Sequence, residues 1–528
     1  MAVLVVGASS TSIRLADELI GGGEHVRALV LDTSPEWMLD ELRQVGAALI
    51  RVDQIREHAL AEAGIDQMQA VVVLGLDEIT TVRVALMVEE LNPDARIVLE
   101  LDNPAFGRRL EPLLGSCTVL SAAALASPSF VAAAFPGGLA QPLTIGGRQL
   151  AAGRDSRVGG EVLAILGEVR ADEDDTVLHR RGNVVLGTRV TSTGPRARQR
   201  GWWGAMVALF DRRLRWVVAT LVLLVIGSTV FFHLAAHLDW LTALYVALTA
   251  STLTGMGEDF SQLPIGTRLV GIVIQLVGVL ITSGITAVIT DVLISSRLAA
   301  LTSGLRGKPK KHYIVVGLGR VGLRVARGLK ERGLSVVAIE QSEDAVGVPG
   351  ARAARIPVLI GDSVDDATLQ RAGVEQADCL VTVTDSDAAN LQIALSANAL
   401  NPRVRVVTRM FDDDLASRVE RQLSTGPTRS VSRLAAPAFA AAALGRRNET
   451  VVPVGRRVVI LGELDVQKAA SVGRVDSLGS CKVLAVRPRG STVWIWNLHS
   501  DLPLGPGDLV AVAATRAGMG LASKALSA

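Results

Sequence analysis

The sequence predicts a multidomain chain: an all-α membrane hairpin of two transmembrane helices with a shorter helix between them, flanked by two α/β Rossmann-like units. Each unit carries a small β-rich lobe at its C-terminal end. Three observations predict this. Two long apolar runs lie close together near the middle of the chain. One α/β pattern occurs before them and again after them in the same register. Each copy opens as an apolar strand, a glycine or serine turn and a helix.

A chain of 528 residues is too long for one ordinary core, and a formal net charge of +2 argues against a nucleic-acid partner. Cys117, Cys379 and Cys481 stand far apart in apolar surroundings, so neither a disulfide framework nor a cysteine zinc site is expected. The opening "MAVLVVGASS" reads as a buried strand entering a turn, with no basic leader or cleavage site of a signal peptide.

Residues 1–140 form the first α/β unit. Its turn, "VVGASSTSIRLADEL", keeps Gly7 but places Ser9 and Ser12 where a dinucleotide turn has glycines, and Asp32 follows the next strand. A serine Cβ obstructs close approach of a pyrophosphate, so Gly7, Ser9, Asp32 and Asp53 make at most a weaker ligand site. Residues 141–193, with "EVLAILGEVRADEDDTVLHRRGNVVLGTRVT", form the first lobe, and 194–213 a basic linker.

Residues 214–298 form the hairpin. "WVVATLVLLVIGSTVFFHL", from Trp216 to Leu234, has His233 as its only ionisable member. The run from Leu269 to Ile294 is interrupted only by Gln275 and Asp291 and is rich in small residues. Arginines from Arg196 to Arg215 precede the first run, and Arg297, Arg306, Lys308, Lys310 and Lys311 follow the second. The segment between, Ala235 to Gly266, has no Lys or Arg. The positive-inside rule then puts both termini and both α/β units in the cytoplasm and makes this a multi-pass protein of the cell membrane.

After a basic linker, 299–311, residues 312–445 repeat the first unit. Gly64 corresponds to Gly373 and the Asn92-Pro93 pair to Asn401-Pro402 at the same displacement, and "SAAALASPSFVAAAF" matches "SVSRLAAPAFAAAAL". Here the turn is complete. "HYIVVGLGRVGLRVARGLKERGLSVVAIEQ" holds Gly317, Gly319 and Gly322 in G-x-G-x-x-G order, with Glu340 closing the next strand. Such glycines permit a sharp turn and close backbone approach, the helix N-terminus faces phosphate, and the acid accepts a ribose hydroxyl. Residues 446–528 form the second lobe.

With "LIGDSVDDATLQRAGVEQADCLVTVTDSD", Leu359 to Asp387, this pattern resembles the RCK domain family, regulators of potassium conductance also called TrkA-N domains. The resemblance implies ring assembly and coupling of a bound ligand to a pore or transporter. The ligand-binding set it implies is Gly317, Gly319, Arg320, Val321, Gly322, Glu340, Asp362 and Asp385. The ligand is a nucleotide such as NAD(H), ATP, ADP or AMP. Calcium at Asp362, Asp365 and Asp366 is a less expected regulator, since such carboxylates more often serve as a solvated helix start.

The stretch "ALYVALTASTLTGMGED", Ala243 to Asp259, resembles the pore helix and filter of two-helix potassium channels, with Thr252, Leu253, Thr254, Gly255, Met256, Gly257, Glu258 and Asp259 at the filter. Both filter glycines coincide, and non-helical backbone is tolerated at membrane depth where it lines a water-filled path. Gly278 falls at the hinge position of the inner helix. Leu253 replaces the threonine of the innermost site and Met256 the bracing aromatic, which leaves selectivity among K+ and other monovalent cations open. One hairpin cannot enclose a pore, so a homotetramer in a lipid bilayer follows.

No metal ligand set or catalytic arrangement emerges. His233 and His237 lack a third ligand, and neither α/β unit shows a nucleophile with its base. Two other readings stay open: a membrane-anchored dehydrogenase using the second glycine turn, and a non-conducting, nucleotide-binding regulatory subunit of a cation transporter.

Overall fold

In the computed structural model both α/β units begin with a strand buried on its two faces, which is why their sequences, AVLVV and HYIVV, are almost continuously apolar rather than alternating. The structure describes residues 1–168, 176–178, 182–190, 212–252, 264–302, 309–423, 426–454, 457–478, 480–496 and 498–527. The chain divides into two units. One is built from Met1–Ala197 together with Gly307–Ala528, the other from Arg198–Arg306.

In the first unit, strands β1 (Ala2–Val6), β2 (His25–Leu31), β3 (Ala48–Val52), β4 (Ala70–Val73), β5 (Arg96–Glu100) and β6 (Cys117–Leu120) form a parallel sheet in the order β3-β2-β1-β4-β5-β6. The small lobe after it is a sheet of β7 (Gln141–Ile145), β8 (Arg148–Arg154), β9 (Val158–Glu168), β10 (Thr176–Val177) and β11 (Val184–Val190), ordered β10-β9-β11-β8-β7 and antiparallel. The second copy repeats the plan. Strands β12 (His312–Val316), β13 (Val336–Glu340), β14 (Val358–Ile360), β15 (Ala377–Thr382), β16 (Arg405–Arg409) and β17 (Thr428–Arg429) run parallel in the order β14-β13-β12-β15-β16-β17. The second lobe has β18 (Arg447–Val454), β19 (Arg457–Asp465), β20 (Ala470–Ser471), β21 (Cys481–Arg487), β22 (Ile495–Trp496), β23 (Pro503–Leu504) and β24 (Leu509–Ala514), of which five form the sheet β18-β19-β24-β21-β22. The strand reversal around β1 and β12 makes both large sheets doubly wound.

The repeated words of the sequence have structural jobs. Gly64 and Gly373 take left-handed backbone, φ +72° and +81°, between a short helix and a helical turn. Asn92 and Asn401 each end a helix and turn their side-chain amides back onto that turn, Asn92 to Ile65 O at 2.7 Å and Asn401 to Val374 O at 2.9 Å. Ser121 and Ser430 cap the alanine-rich helices Ala122–Ala133 and Val431–Ala443.

The two copies share one core. The helix Ser10–Gly21 after the first turn packs on Val431–Ala443 of the second copy, Arg320–Glu331 packs on Ala122–Ala133 of the first, and the two alanine-rich helices meet each other. Small side chains let these helices approach closely. One continuous apolar cluster runs from Val3 and Phe130 to Val315 and Phe439, with the Phe135 and Tyr313 rings 5.8 Å apart. Guanidinium groups close the edges on backbone carbonyls: Arg96 reaches Ala443 O at 2.9 Å and Arg405 reaches Ala133 O at 2.7 Å. The two lobes likewise share a core, in which Leu150 and Leu186 meet Val454 and Leu461.

The second unit holds helices Arg212–Ala235, Trp240–Thr252 and Ile265–Thr302. Ala243, Ala247 and Ala250, spaced four and three apart, lie on one face of the short helix and pack with Phe232 and Ile274. Leu223, Ile226, Leu276 and Leu280 are each more than half exposed. Two membrane spans are expected from the sequence; among the described residues one helix, over Ile265–Ala287, is long and apolar enough to cross a membrane. The apolar part described in the helix Arg212–Ala235 is Ala219–Ala235, and the side chains of 216–218 lie outside the described residues. Leu253, Thr254, Gly255, Met256, Gly257, Glu258 and Asp259 also lie outside them, while Thr252 ends the short helix. The long helix continues through Gly278, whose carbonyl accepts the Thr282 hydroxyl at 2.9 Å. His233 Nδ1 lies 2.7 Å from Leu238 O and its ring stacks on Trp240.

Candidate functional site

The second glycine turn joins β12 to the helix Arg320–Glu331, and each glycine answers a different steric demand. Gly317 has φ +88°, a backbone that L residues rarely adopt. A Cβ at Gly322 would stand 1.8 Å from Gly317 O, so only hydrogen fits where helix meets turn. Gly319 is the N-cap, at φ −70°, and a Cβ built there meets nothing within 4 Å. No side chain caps this helix. The helix therefore starts without a capping side chain beside a residue that adds no bulk, an arrangement suited to a phosphate.

Glu340 lies beside that helix start and accepts hydrogen bonds from Leu318 N within the turn and from Gln341 N at 2.7 Å. The carboxylate thus holds the turn in shape and keeps lone pairs for a hydroxyl donor. Arg320 leaves the turn for the first copy: its Nε meets Asp102 Oδ2 at 2.7 Å, and Arg324 donates to Asp102 O at the same distance. Val321 is buried beneath the turn. Asp362 Oδ1 accepts from Val364 N at 3.0 Å and Asp365 caps a short helix, so these acids serve their own loop. Among the described residues no cluster suited to a metal ion occurs. Asp385 is exposed and pairs with Arg409 at 2.7 Å.

Sequence reasoning missed what fixes the far wall. Asn390, fully buried, accepts from the Thr382 hydroxyl at 2.6 Å and Thr384 N at 3.0 Å, and donates to Thr384 O at 3.0 Å and Arg409 O at 3.1 Å. Thr384 N is the atom nearest to where a Gly317 Cβ would stand. A buried amide that ties the end of β15 and the loop after it to the end of β16 holds that loop against the turn. The signal available was Asn390 itself, a polar residue on the buried face of the helix Asp387–Leu400.

The first turn is closed by its own residues. Gly7 keeps φ +95°, but Ser9 caps the helix, accepting from Ser12 N at 3.1 Å, and the two hydroxyls lie 2.9 Å apart. Ser12 N, a donor of the first turn, is thus used internally, while no side chain caps the corresponding helix of the second copy. Strand register also places Val30, not Asp32, opposite Glu340: Val6 pairs with Leu29 as Val316 pairs with Ile339. Asp32 lies two residues farther along and pairs with Arg51 at 3.2 Å. Asp53 lines a separate open cleft of about 690 Å³ with Arg56, His58 and Arg83. The half-buried carboxyl of Glu100 has its pKa raised by desolvation, opposed by a hydrogen bond from Gly75 N. The three thiols are each pushed up to about 12, by burial first, which suits packing rather than nucleophilic chemistry.

The TrkA-N domain model matches residues 3–122 and 313–425, so both ends of the chain carry a TrkA-N domain. Potassium channel protein 1 of Methanocaldococcus jannaschii is 26% identical over 220 residues, 40% of this chain and 65% of that one. The Trk system potassium uptake protein TrkA homolog of Pyrococcus abyssi is 31% identical over 101 residues, 19% of this chain and 44% of that one. The chain thus spans less than two thirds of the length of these relatives. In fold it is similar to the GsuK RCK domain, with a TM-score of 0.53 and 13% identity over 100% of this chain and 95% of that one. Similarity to the GsuK channel gives 0.52 and 14% over 99% and 79%.

Proposed function

We propose, from a chain that carries a TrkA-N domain at each end of a helical hairpin, a homotetrameric, potassium-channel-like channel for monovalent cations, gated by a nucleotide at the second glycine turn. The carrying observation is the open, uncapped helix N-terminus at Gly319, with Glu340 beside it, in a chain whose hairpin delivers a short helix directly into Thr252–Asp259. In this reading both helices of the hairpin span the bilayer and both TrkA-N domains are cytoplasmic. The long helix, about 57 Å at 1.5 Å per residue, outruns the hydrocarbon and reaches the basic linker. Residues 253–259 supply the filter carbonyls and acidic mouth, and the chain has no catalytic role.

The nucleotide, of the NAD(H), ATP, ADP or AMP kind, places phosphate on the N–H groups after Gly317 and a ribose hydroxyl on Glu340. Because the same helix packs on Ala122–Ala133 of the first copy, a ligand that favours one packing of that pair shifts the population of gating states. Leu253 and Met256 favour a second reading, a non-conducting regulatory subunit. The test is the reversal potential of the purified protein in a planar bilayer, potassium on one side and sodium on the other, with and without nucleotide. A value near the potassium equilibrium potential supports a selective channel, and one near zero with robust current a weakly selective one. No current under any nucleotide sinks the channel reading in favour of the regulatory subunit.

A further inference from the structure

The second glycine turn is tied to the other copy by a single charged side chain. Arg320, the first residue of the helix after the N-cap Gly319, sends its guanidinium across to Asp102, just beyond β5 of the first copy. Both carboxylate oxygens are engaged: Oδ2 meets Arg320 Nε at 2.7 Å, and Oδ1 accepts the Ser121 hydroxyl at 2.7 Å. Arg324, one helical turn on, donates to the Asp102 carbonyl at 2.7 Å. The two partners differ in freedom. Asp102 is 18% exposed and Arg320 54%, so the carboxylate is fixed while the guanidinium has room to swing. The first turn lacks this pair. Gly7 aligns with Gly317 and Arg96 with Arg405, which puts Ser10 in the place of Arg320 and Phe411 in that of Asp102. There Arg14, the counterpart of Arg324, lies over the Phe411 ring at 5.6 Å and pairs with Asp413. Of the two turns, only the one with its glycines complete has both an arginine at the helix start and a carboxylate aimed at it.

We propose that Asp102 of the first copy sets the charge preference of the second glycine turn, holding Arg320 on itself until a ligand phosphate competes for the guanidinium. This rests on the nucleotide reading of that turn. Guanidinium groups match phosphate oxygens in pairs, and a half-exposed ion pair is weak enough to exchange. A phosphate at the helix start uses backbone N–H groups; a second or third one, farther out, draws Arg320 from Asp102. Asp102 thus opposes nucleotides with two or more phosphates and leaves a monophosphate almost unaffected. It is a positioning residue, acting through Arg320 without touching the ligand. The exchange also unties Arg320 from the first copy, so occupancy of one turn is felt at the contact between copies.

The test uses the full chain purified in detergent, titrated with AMP, ADP, ATP and NAD without divalent cations, at constant ionic strength set by chloride, with melting followed. Asp102→Asn keeps an oxygen for Ser121 and removes the charge. It is expected to tighten ADP, ATP and NAD about fivefold, the scale of one exposed ion pair, and AMP by less. Arg320→Gln, at an exposed position, is expected to weaken the same three more than AMP. In that background Asp102→Asn should change nothing further, since the interaction it relieves is gone. A wild type that responds to nucleotide while both variants keep its affinities overturns the proposal alone. So does an equal effect of Asp102→Asn with and without Arg320. Should Asp102→Asn not fold, unchanged affinity for ADP, ATP and NAD in Arg320→Gln decides against it. No response of the wild type to any of the four overturns the nucleotide reading, and the proposal with it.

Discussion

Gly319 and Gly322 stand three residues apart in one turn and respond oppositely to a side chain. Since a Cβ at Gly322 meets Gly317 O at 1.8 Å, Gly322→Ala forces backbone apart and is expected to cost about 1–3 kcal/mol in denaturant unfolding. Gly319 has ordinary backbone angles and open space, and aspartate is a favoured N-cap. Gly319→Asp should therefore fold with unchanged or higher Tm while losing all nucleotide-induced stabilisation, as its carboxylate takes the phosphate's place. A variant that still responds to nucleotide would place the ligand elsewhere. Glu100 carries a pH prediction. Burial raises its folded-state pKa above the usual 4.5, so the folded protein holds the extra proton between the two values and loses stability as pH rises through that window. Glu100→Gln keeps an acceptor for Gly75 N and removes the partly desolvated charge. It is expected to raise Tm near neutral pH, with the gain shrinking as acid protonates the wild-type carboxyl; a gain independent of pH would refute this.

Helices carry the contact between copies, so an element's stability is not local to its own copy. Phe439, fully buried on Val431–Ala443, belongs to the core that both sheets share. Phe439→Ala should cost about 3–5 kcal/mol. Hydrogen exchange should lose protection in β1–β6 as well as in β12–β17, and loss confined to the second copy would show that the sheets are stabilised separately. This exchange of helices was not legible in the sequence, because a repeat at constant displacement reports similarity and not which surface buries which. What was legible rests on local chemistry. The complete glycine turn, the serine departures in the first copy and the duplicated Asn-Pro corners all follow from backbone needs within a few residues. Asp32 shows the limit: it lies close to Glu340's place along the chain, yet the residue facing the turn is set by strand register, which puts Val30 there. Asn390 reads in the sequence as one more polar helix residue, and its role emerges only when the ends of β15 and β16 converge on it.

At the scale of the molecule, the unit formed by Met1–Ala197 and Gly307–Ala528 is closed by a core to which both segments contribute. The segments 1–197 and 307–528, co-expressed as separate chains, should purify as a one-to-one complex measurable by light scattering, and each alone should aggregate or bind a chaperone. Two independently soluble, monomeric fragments would contradict the shared core. The same feature has a consequence in time. A ribosome that has just released residue 197 has made only half of that core, and its partner surfaces on Ala122–Ala133 and Ser10–Gly21 wait for helices more than a hundred residues downstream. At about 5–20 residues per second, the last of them emerges after roughly ten seconds or more, with the hairpin synthesised in the interval. In the proposed channel the hairpin enters its membrane before the first domain has finished folding, and the nascent half-core is the surface left exposed in that interval.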